Sequence, residues 1–218
     1  MVRHMKKIYQ DKKVASRATR RRRGEKPTLY TGVGDSGTTT LFHCEQGRIS
    51  KSADIIEALG VLDELNAYIG IVKVYAKERE MKIVINSKKK ILYSEILNDI
   101  QQTLFVVQAE IAGSPMTVGK KELNKIEDVI SYISSLLPPI KSFTVSGGSV
   151  LSAELDYTRT LARRCERRII SVVDGGGNKI GKVTLAYLNR LSSILFAMSR
   201  YANHVLSIQE EHPKYNLQ

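Results

Sequence analysis

Apolar residues recur in alternating steps of three and four along five long stretches of this chain, and glycine or proline clusters separate most of them. That spacing puts the apolar side chains on one face of a helix, so the chain is constrained to fold by packing helices against each other. The first stretch runs from about Ser52 to Lys77 through Ile55, Leu59, Leu62, Ile69, Val72 and Ala76. After a polar connection around Asn86 and Ser87, the second covers about Lys90–Ala112 through Tyr93, Leu97, Ile100, Leu104, Val107 and Ile111. The third, about Lys120–Leu137, repeats Leu123, Ile126, Ile130, Ile133 and Leu137 and stops at Pro138-Pro139. The fourth starts after Ser149, a suitable N-cap, and ends near Val173 before Gly175-Gly176-Gly177; the fifth covers about Ile180–Ser207. Repeats near 3.5 suit near-parallel helices with interlocked side chains. The expected fold is all-α: a five-helix bundle with ferritin-like up-and-down packing, preceded by a Gly/Thr-rich N-terminal loop.

Hydrophobic residues at 42% and charged residues at 26% exclude wholesale disorder. No run of about 18 apolar residues is present, which argues against a membrane span, and the start has no apolar core of a secretory signal. Cys44 and Cys165 are far apart and outside any C-x-x-C, so neither a disulfide framework nor a thiolate zinc site is expected. A reducing, cytoplasmic setting fits this usage.

The net charge of +12 would ordinarily point to nucleic acid, but its distribution weakens that inference. Residues 1–27 hold eleven basic side chains against Asp11 and Glu25, which is +9 of the total. Such a block repels itself and reads as a tail, leaving open an organelle transit segment or a nucleic-acid or lipid role. The domain reading is therefore a basic tail over 1–27, a helical domain over 28–212 and a short tail over 213–218.

The fourth stretch carries most of the chemistry. At about 100° per residue, Leu151, Leu155, Thr158, Ala162, Cys165, Ile169 and Val172 share one face. Asp156, Arg159, Arg163, Glu166 and Arg167 form a second strip beside it, with the arginines at i, i+4 and i+8. A solvated face of ion pairs is one reading. The other is an anion site, since guanidiniums bordering an apolar face repel unless an anion lies among them, and polyphosphate suits their fork. Upstream, Thr31-Gly32-Val33-Gly34-Asp35-Ser36-Gly37-Thr38-Thr39-Thr40 offers small residues, amides and hydroxyls, either as a plain turn or as a cradle for one anion. Lys51 follows it and could neutralise a phosphate. Asp63 needs a cationic partner if covered. Asn189 falls near the fifth core stripe, either satisfied inside the bundle or free to read a purine edge. Phe143, just before Gly147-Gly148, is placed as a lid over the core. The four histidines form no ligand-spaced cluster.

Taken together, Thr31–Thr39, Ala58–Asn66, Gly147–Ser149, Arg159–Arg167 and Tyr187–Ser192 resemble the PduO-type ATP:cob(I)alamin adenosyltransferase family, and the match extends from about Thr28 to Asn203. The resemblance implies transfer of the 5′-deoxyadenosyl group of ATP to cob(I)alamin or a related corrinoid, in a homotrimer with sites at subunit interfaces. It implies that Thr31, Gly32, Val33, Gly34, Asp35, Thr39, Thr40, Lys51, Arg163, Arg164, Glu166, Arg167 and Asn189 hold ATP. Arg163, Glu166 and Arg167 would act in catalysis. Mg²⁺ would ride on the phosphates, with Glu166 as a further ligand. Phe143 would pack below the corrin, and Asp63 would pair across the interface with Arg159. A corrinoid reductase and an adenosylcobalamin-dependent enzyme are the implied partners, with no membrane and no nucleic acid. Gly32, Ser146, Asp156 and Ser193 depart from the family's usual residues. A corrinoid- or nucleotide-binding module without catalysis and a basic nucleic-acid-binding helical protein are the alternatives.

Overall fold

The computed structural model describes residues 29–30, 32–41, 47–87, 89–177 and 179–215. The tail over 1–27, together with Thr31 and Cys44, therefore lies outside the described residues. Contacts divide the chain into two units, Met1–Asp35 and Ser36–Gln218. In the first, Gly32 takes a positive φ of 68° and its carbonyl accepts from the Asp35 amide at 3.2 Å, closing a turn.

The second unit holds five helices: α1 (Asp54–Glu78), α2 (Tyr93–Ile111), α3 (Lys120–Leu136), α4 (Val150–Asp174) and α5 (Lys182–Val205). Two antiparallel ribbons accompany them, β1 (Thr38–Thr39) with β2 (Ile49–Ser50) and β3 (Lys82–Val84) with β4 (Lys90–Leu92). This is the expected all-α bundle. Neighbouring helices pack in the order α2, α1, α4, α5, α3. The predicted stripes of α2 and α4 are buried at every position named for them, whereas α3 buries only Ile126, Val129 and Ile133 and flanks α5 at the bundle's side.

The second helix begins later than periodicity suggested. Lys90–Leu92 is a strand, with Ile83 opposite Ile91 and the turn closed by the Asn86 Oδ1, which accepts from the Lys89 amide at 2.9 Å. Glu95 reaches back to the Leu92 amide at 3.3 Å and marks the true helix start. Burial of Ile83 and Tyr93 fixes this hairpin to the bundle, where the Tyr93 hydroxyl donates to the Met198 carbonyl at 2.9 Å. Burial also holds the Tyr93 hydroxyl's pKa well above the usual phenol value.

Two polar devices set the helix ends near the site. Ser149 caps α4, accepting from the Ser152 amide at 3.1 Å. Gly147 and Gly148, at φ 138° and 92°, bring the chain into that cap. A Cβ on Gly148 would lie 2.6 Å from the Asn203 amide nitrogen, so the entry admits glycine alone without movement. At the other end, buried Glu110 of α2 caps α5 from across the bundle. Its Oε1 accepts from the Gly181 amide at 2.7 Å and the Thr117 hydroxyl at 3.2 Å, and its Oε2 from the Thr184 hydroxyl at 2.6 Å. A carboxylate facing a helix N-terminus is favoured by the unpaired amides there.

Glu110→Ala removes the acceptor of the buried Thr184 hydroxyl and of two more accessible donors, the Gly181 amide and the Thr117 hydroxyl, so urea unfolding should show a loss of about 2 kcal/mol; a change below about 0.5 kcal/mol would refute the cap. Cys165 sits in the core face of α4 with its thiol pushed up to about 12, chiefly by burial and secondarily by Glu166, against a lowering by Arg164. Native protein treated with iodoacetamide at pH 8 should keep Cys165 unmodified on peptide mapping, with modification appearing only after denaturation.

Candidate functional site

Helix α4 presents its arginines in graded exposure. Arg159 is partly covered, with 27% of its side chain exposed, and its Nε donates at 3.1 Å to Asp156 Oδ1, one turn back. Asp156 is itself buried at 7% exposure, so this pair is the inner end of the stripe. The Arg159 guanidinium also lies 5.7 Å from the Phe196 ring. Arg163 and Arg167 are exposed, and among the described residues neither has an ion-pair or hydrogen-bond partner for its guanidinium. Of the strip, Asp156 is buried, Arg159 and Glu166 are partly covered, and Arg163 and Arg167 lie in solvent. Arg164 turns away from the stripe and pairs with Glu64 of α1.

Glu166 is the anionic member between the two free arginines, and a relay across three helices fixes it. Glu127 Oε1 of α3 accepts from Arg190 Nε at 3.0 Å, Arg190 Nη1 donates to Asn189 Oδ1 at 2.8 Å, and Asn189 Nδ2 donates to Glu166 Oε1 at 2.9 Å. Each amide atom of Asn189 is therefore committed, which sets its orientation. Asn189 is exposed instead of lying in the core stripe, because its partners are at the edge between α4 and α5. Glu166 Oε2 has no hydrogen bond among the described residues. Facing Arg163 and Arg167 one turn apart, this edge is a cationic surface of two free forks with one oriented carboxylate, suited to an oxyanion-rich ligand.

The β1–β2 ribbon builds a second cluster. Thr38 pairs with Ser50 and Thr39 with Ile49, and the Lys51 amide donates to the Gly37 carbonyl at 2.9 Å. Arg48 clamps the ribbon, its Nε donating to Thr38 Oγ1 at 2.8 Å and its Nη2 to the Thr38 carbonyl at 2.6 Å. Thr40 and Lys51 are exposed beside it, and Thr39 is half-buried. Val33, Gly34 and Asp35 belong to the first unit, where Val33 and Asp35 are exposed and Gly34 is half-buried.

Asp63 is exposed on α1, and no partner within the described residues takes its carboxylate. Phe143 is 79% exposed in the connection between α3 and α4, so it is a projecting aromatic and not a lid over the core. Among the described residues, no group of three His, Cys, Asp or Glu side chains could hold a metal by itself. Sequence reasoning missed Glu127, Arg190 and Arg48. Arg190 stood beside Asn189 in the quoted motif, but the partner from α3 is 63 residues away and leaves no local signal.

The cobalamin adenosyltransferase family model matches residues 29–202. Corrinoid adenosyltransferase PduO of Citrobacter freundii is 33% identical over 183 residues, covering 81% of this chain and 50% of that protein. The chain thus spans about half the length of the first curated relatives it matches. A corrinoid adenosyltransferase of Mycobacterium tuberculosis is 31% identical, covering 80% of this chain and 88% of that one. Among solved structures, a variant PduO-type ATP:corrinoid adenosyltransferase from Lactobacillus reuteri, complexed with cobalamin and ATP, superposes with a TM-score of 0.73. It is 27% identical, over 86% of this chain and 97% of that one. The five-helix bundle, the ordered α4 edge and these matches place the chain in one family: it belongs to the cobalamin adenosyltransferases.

Proposed function

We propose that this protein transfers the 5′-deoxyadenosyl group of ATP to the cobalt of cob(I)alamin or a related corrinoid, releasing triphosphate. The observation that carries the reading is the α4 edge, where Arg163 and Arg167 stand unpaired on either side of a Glu166 already oriented by Asn189. Helices usually neutralise such clusters, since like charges one turn apart destabilise by roughly 0.3 kcal/mol. Leaving two guanidiniums free suits a ligand that brings the negative charge with it. The relatives' names and the cobalamin and ATP held by the Lactobacillus reuteri structure support the same chemistry.

In this reading cobalt(I) supplies the electron pair and attacks C5′ of ATP. The C5′–O bond breaks, its electrons pass to the departing triphosphate oxygen, and cobalt ends as cobalt(III) joined to carbon. No proton has to be removed from the nucleophile, so the chain needs no general base. Its tasks are positioning and charge stabilisation. Arg163 and Arg167 meet the charge that grows on triphosphate, and Glu166 and Asn189 keep that pair in register. Arg164, Lys51, Thr39 and Thr40 complete the nucleotide site, contributed across a subunit boundary of a homotrimer.

A Mg²⁺ ion fits this donor set as a nucleotide-borne ion. Mg²⁺ is commonly held by one or two carboxylates plus phosphate oxygens, and Glu166 offers one free carboxylate oxygen here. It would screen triphosphate charge. Phe143 forms an apolar surface for the lower face of the corrin, and Asp63 of one subunit meets Arg159 of the next. A cytoplasmic location and a reductase that delivers cobalt(I) complete the proposal, as does the division into a basic tail over 1–27 and a catalytic domain over 28–212.

Anaerobic mixing of ATP with chemically reduced cobalamin tests it, the cobalt–carbon product being followed by its absorption. The unsubstituted protein should accumulate product; a module without catalysis would bind and yield none. Arg163→Ala should lower kcat by about 10²- to 10³-fold with helicity unchanged on circular dichroism, because the side chain is exposed and unpaired. Full activity in that variant would remove the α4 edge from the triphosphate site.

A further inference from the structure

The connection between α3 and α4, residues 138–149, carries exposed Ile140, Phe143 and Val145 and has no helix or strand of its own. An irregular segment with apolar side chains facing outward must be held by its backbone. From Pro138 to Gly148, every hydrogen bond among the described residues runs to positions 200–212. Arg200 Nη2 donates to the Pro138 carbonyl at 3.1 Å, and Asn203 Nδ2 to the Gly147 carbonyl at 2.9 Å. His212 Nδ1 lies 2.9 Å from both the Ser142 hydroxyl and the Phe143 carbonyl, and the Val145 amide donates to the Glu211 carbonyl at 2.8 Å.

Beyond α5 the chain turns at Ser207, a non-glycine residue at φ 55°, and doubles back over this connection. Leu206 is exposed and only Ile208 is half-buried, so apolar packing holds the returning segment weakly. A polar cavity of about 130 Å³ lies under it, lined by Thr144, Asp156, Arg200 and Glu210 among others. Its anchor is a bidentate pair: Glu210 accepts from Arg200 Nε at 2.6 Å and from Nη2 at 3.0 Å, with the arginine side chain 9% exposed. Breaking such a covered pair leaves a buried charge uncompensated, so the pair resists opening.

We propose that residues 206–212 are a strap that sets the position of Phe143, with Glu210 and His212 as positioning residues for the corrinoid. The pair of Arg200 and Glu210 locks the strap, and His212 and Glu211 transmit that lock to the backbone on either side of Phe143. This rests on the reading of Phe143 as the residue beneath the corrin. The strap's contacts are independent of that reading.

Three variants and two readouts, amide exchange and the KM values, test it on the full chain. In Glu210→Ala the Val145 amide should exchange with deuterium about tenfold faster while core amides of α2 keep their protection. The KM for cob(I)alamin should rise about tenfold with the KM for ATP unchanged, and Glu210→Gln, which retains one of the two hydrogen bonds, should fall between. His212→Ala, at an exposed position that does not threaten folding, should raise the corrinoid KM about threefold in the same selective way. Unchanged exchange at Val145 would refute the strap. Faster exchange with an unchanged corrinoid KM, or an equal rise in both KM values, would refute its role in positioning. If the unsubstituted protein turns over nothing while Val145 is protected, the adenosyl transfer fails and the strap's contacts stand.

Discussion

Two guanidiniums on α4 with no ion-pair partner among the described residues are the constraint around which the rest is arranged. A helix surface with Arg163 and Arg167 one turn apart gains nothing in stability from them. What the fold supplies is order: Glu127, Arg190 and Asn189, drawn from α3 and α5, end on Glu166 and fix its orientation. Electrostatic stabilisation is most effective when its dipoles and charges are fixed before the reaction, because no reorganisation is then needed as charge moves. The α4 edge meets that condition on the carboxylate side and leaves Arg163 and Arg167 exposed.

The bundle accounts for the precision of this edge. Leu151 through Val172 lock α4 against α1 and α5, so the neighbouring strip has a defined rotation. Capping sets its axial position: Ser149 starts α4, and Glu110 starts α5, the helix that brings Asn189 and Arg190. The same logic reappears at the other end of α5, where Arg200 and Asn203 hold the irregular connection bearing Phe143. One helix therefore sets both the relay that ends on Glu166 and the connection that bears Phe143.

How much was legible in the sequence follows from the range of each interaction. The stripes of α2 and α4 were readable because burial and periodicity agree at every position, and the Ser149 cap because its partner is three residues away. The β3–β4 ribbon was not: three-residue strands are too short for alternation to show, and no Ser, Thr, Asp or Asn marks the start of α2. At the site, the arginine spacing was evident, whereas the exposure of Asn189 and Phe143 was misjudged because both depend on partners from other elements. Asp156 with Arg159 was an i,i+3 pair in plain view, but only the fold buries it.

Determining the structure with ATP bound is the most direct test of the central claim. The account predicts triphosphate oxygens within hydrogen-bond distance of Arg163 and Arg167, with the Glu166–Asn189 contact retained. Nucleotide bound elsewhere, with both guanidiniums still in solvent, would contradict it.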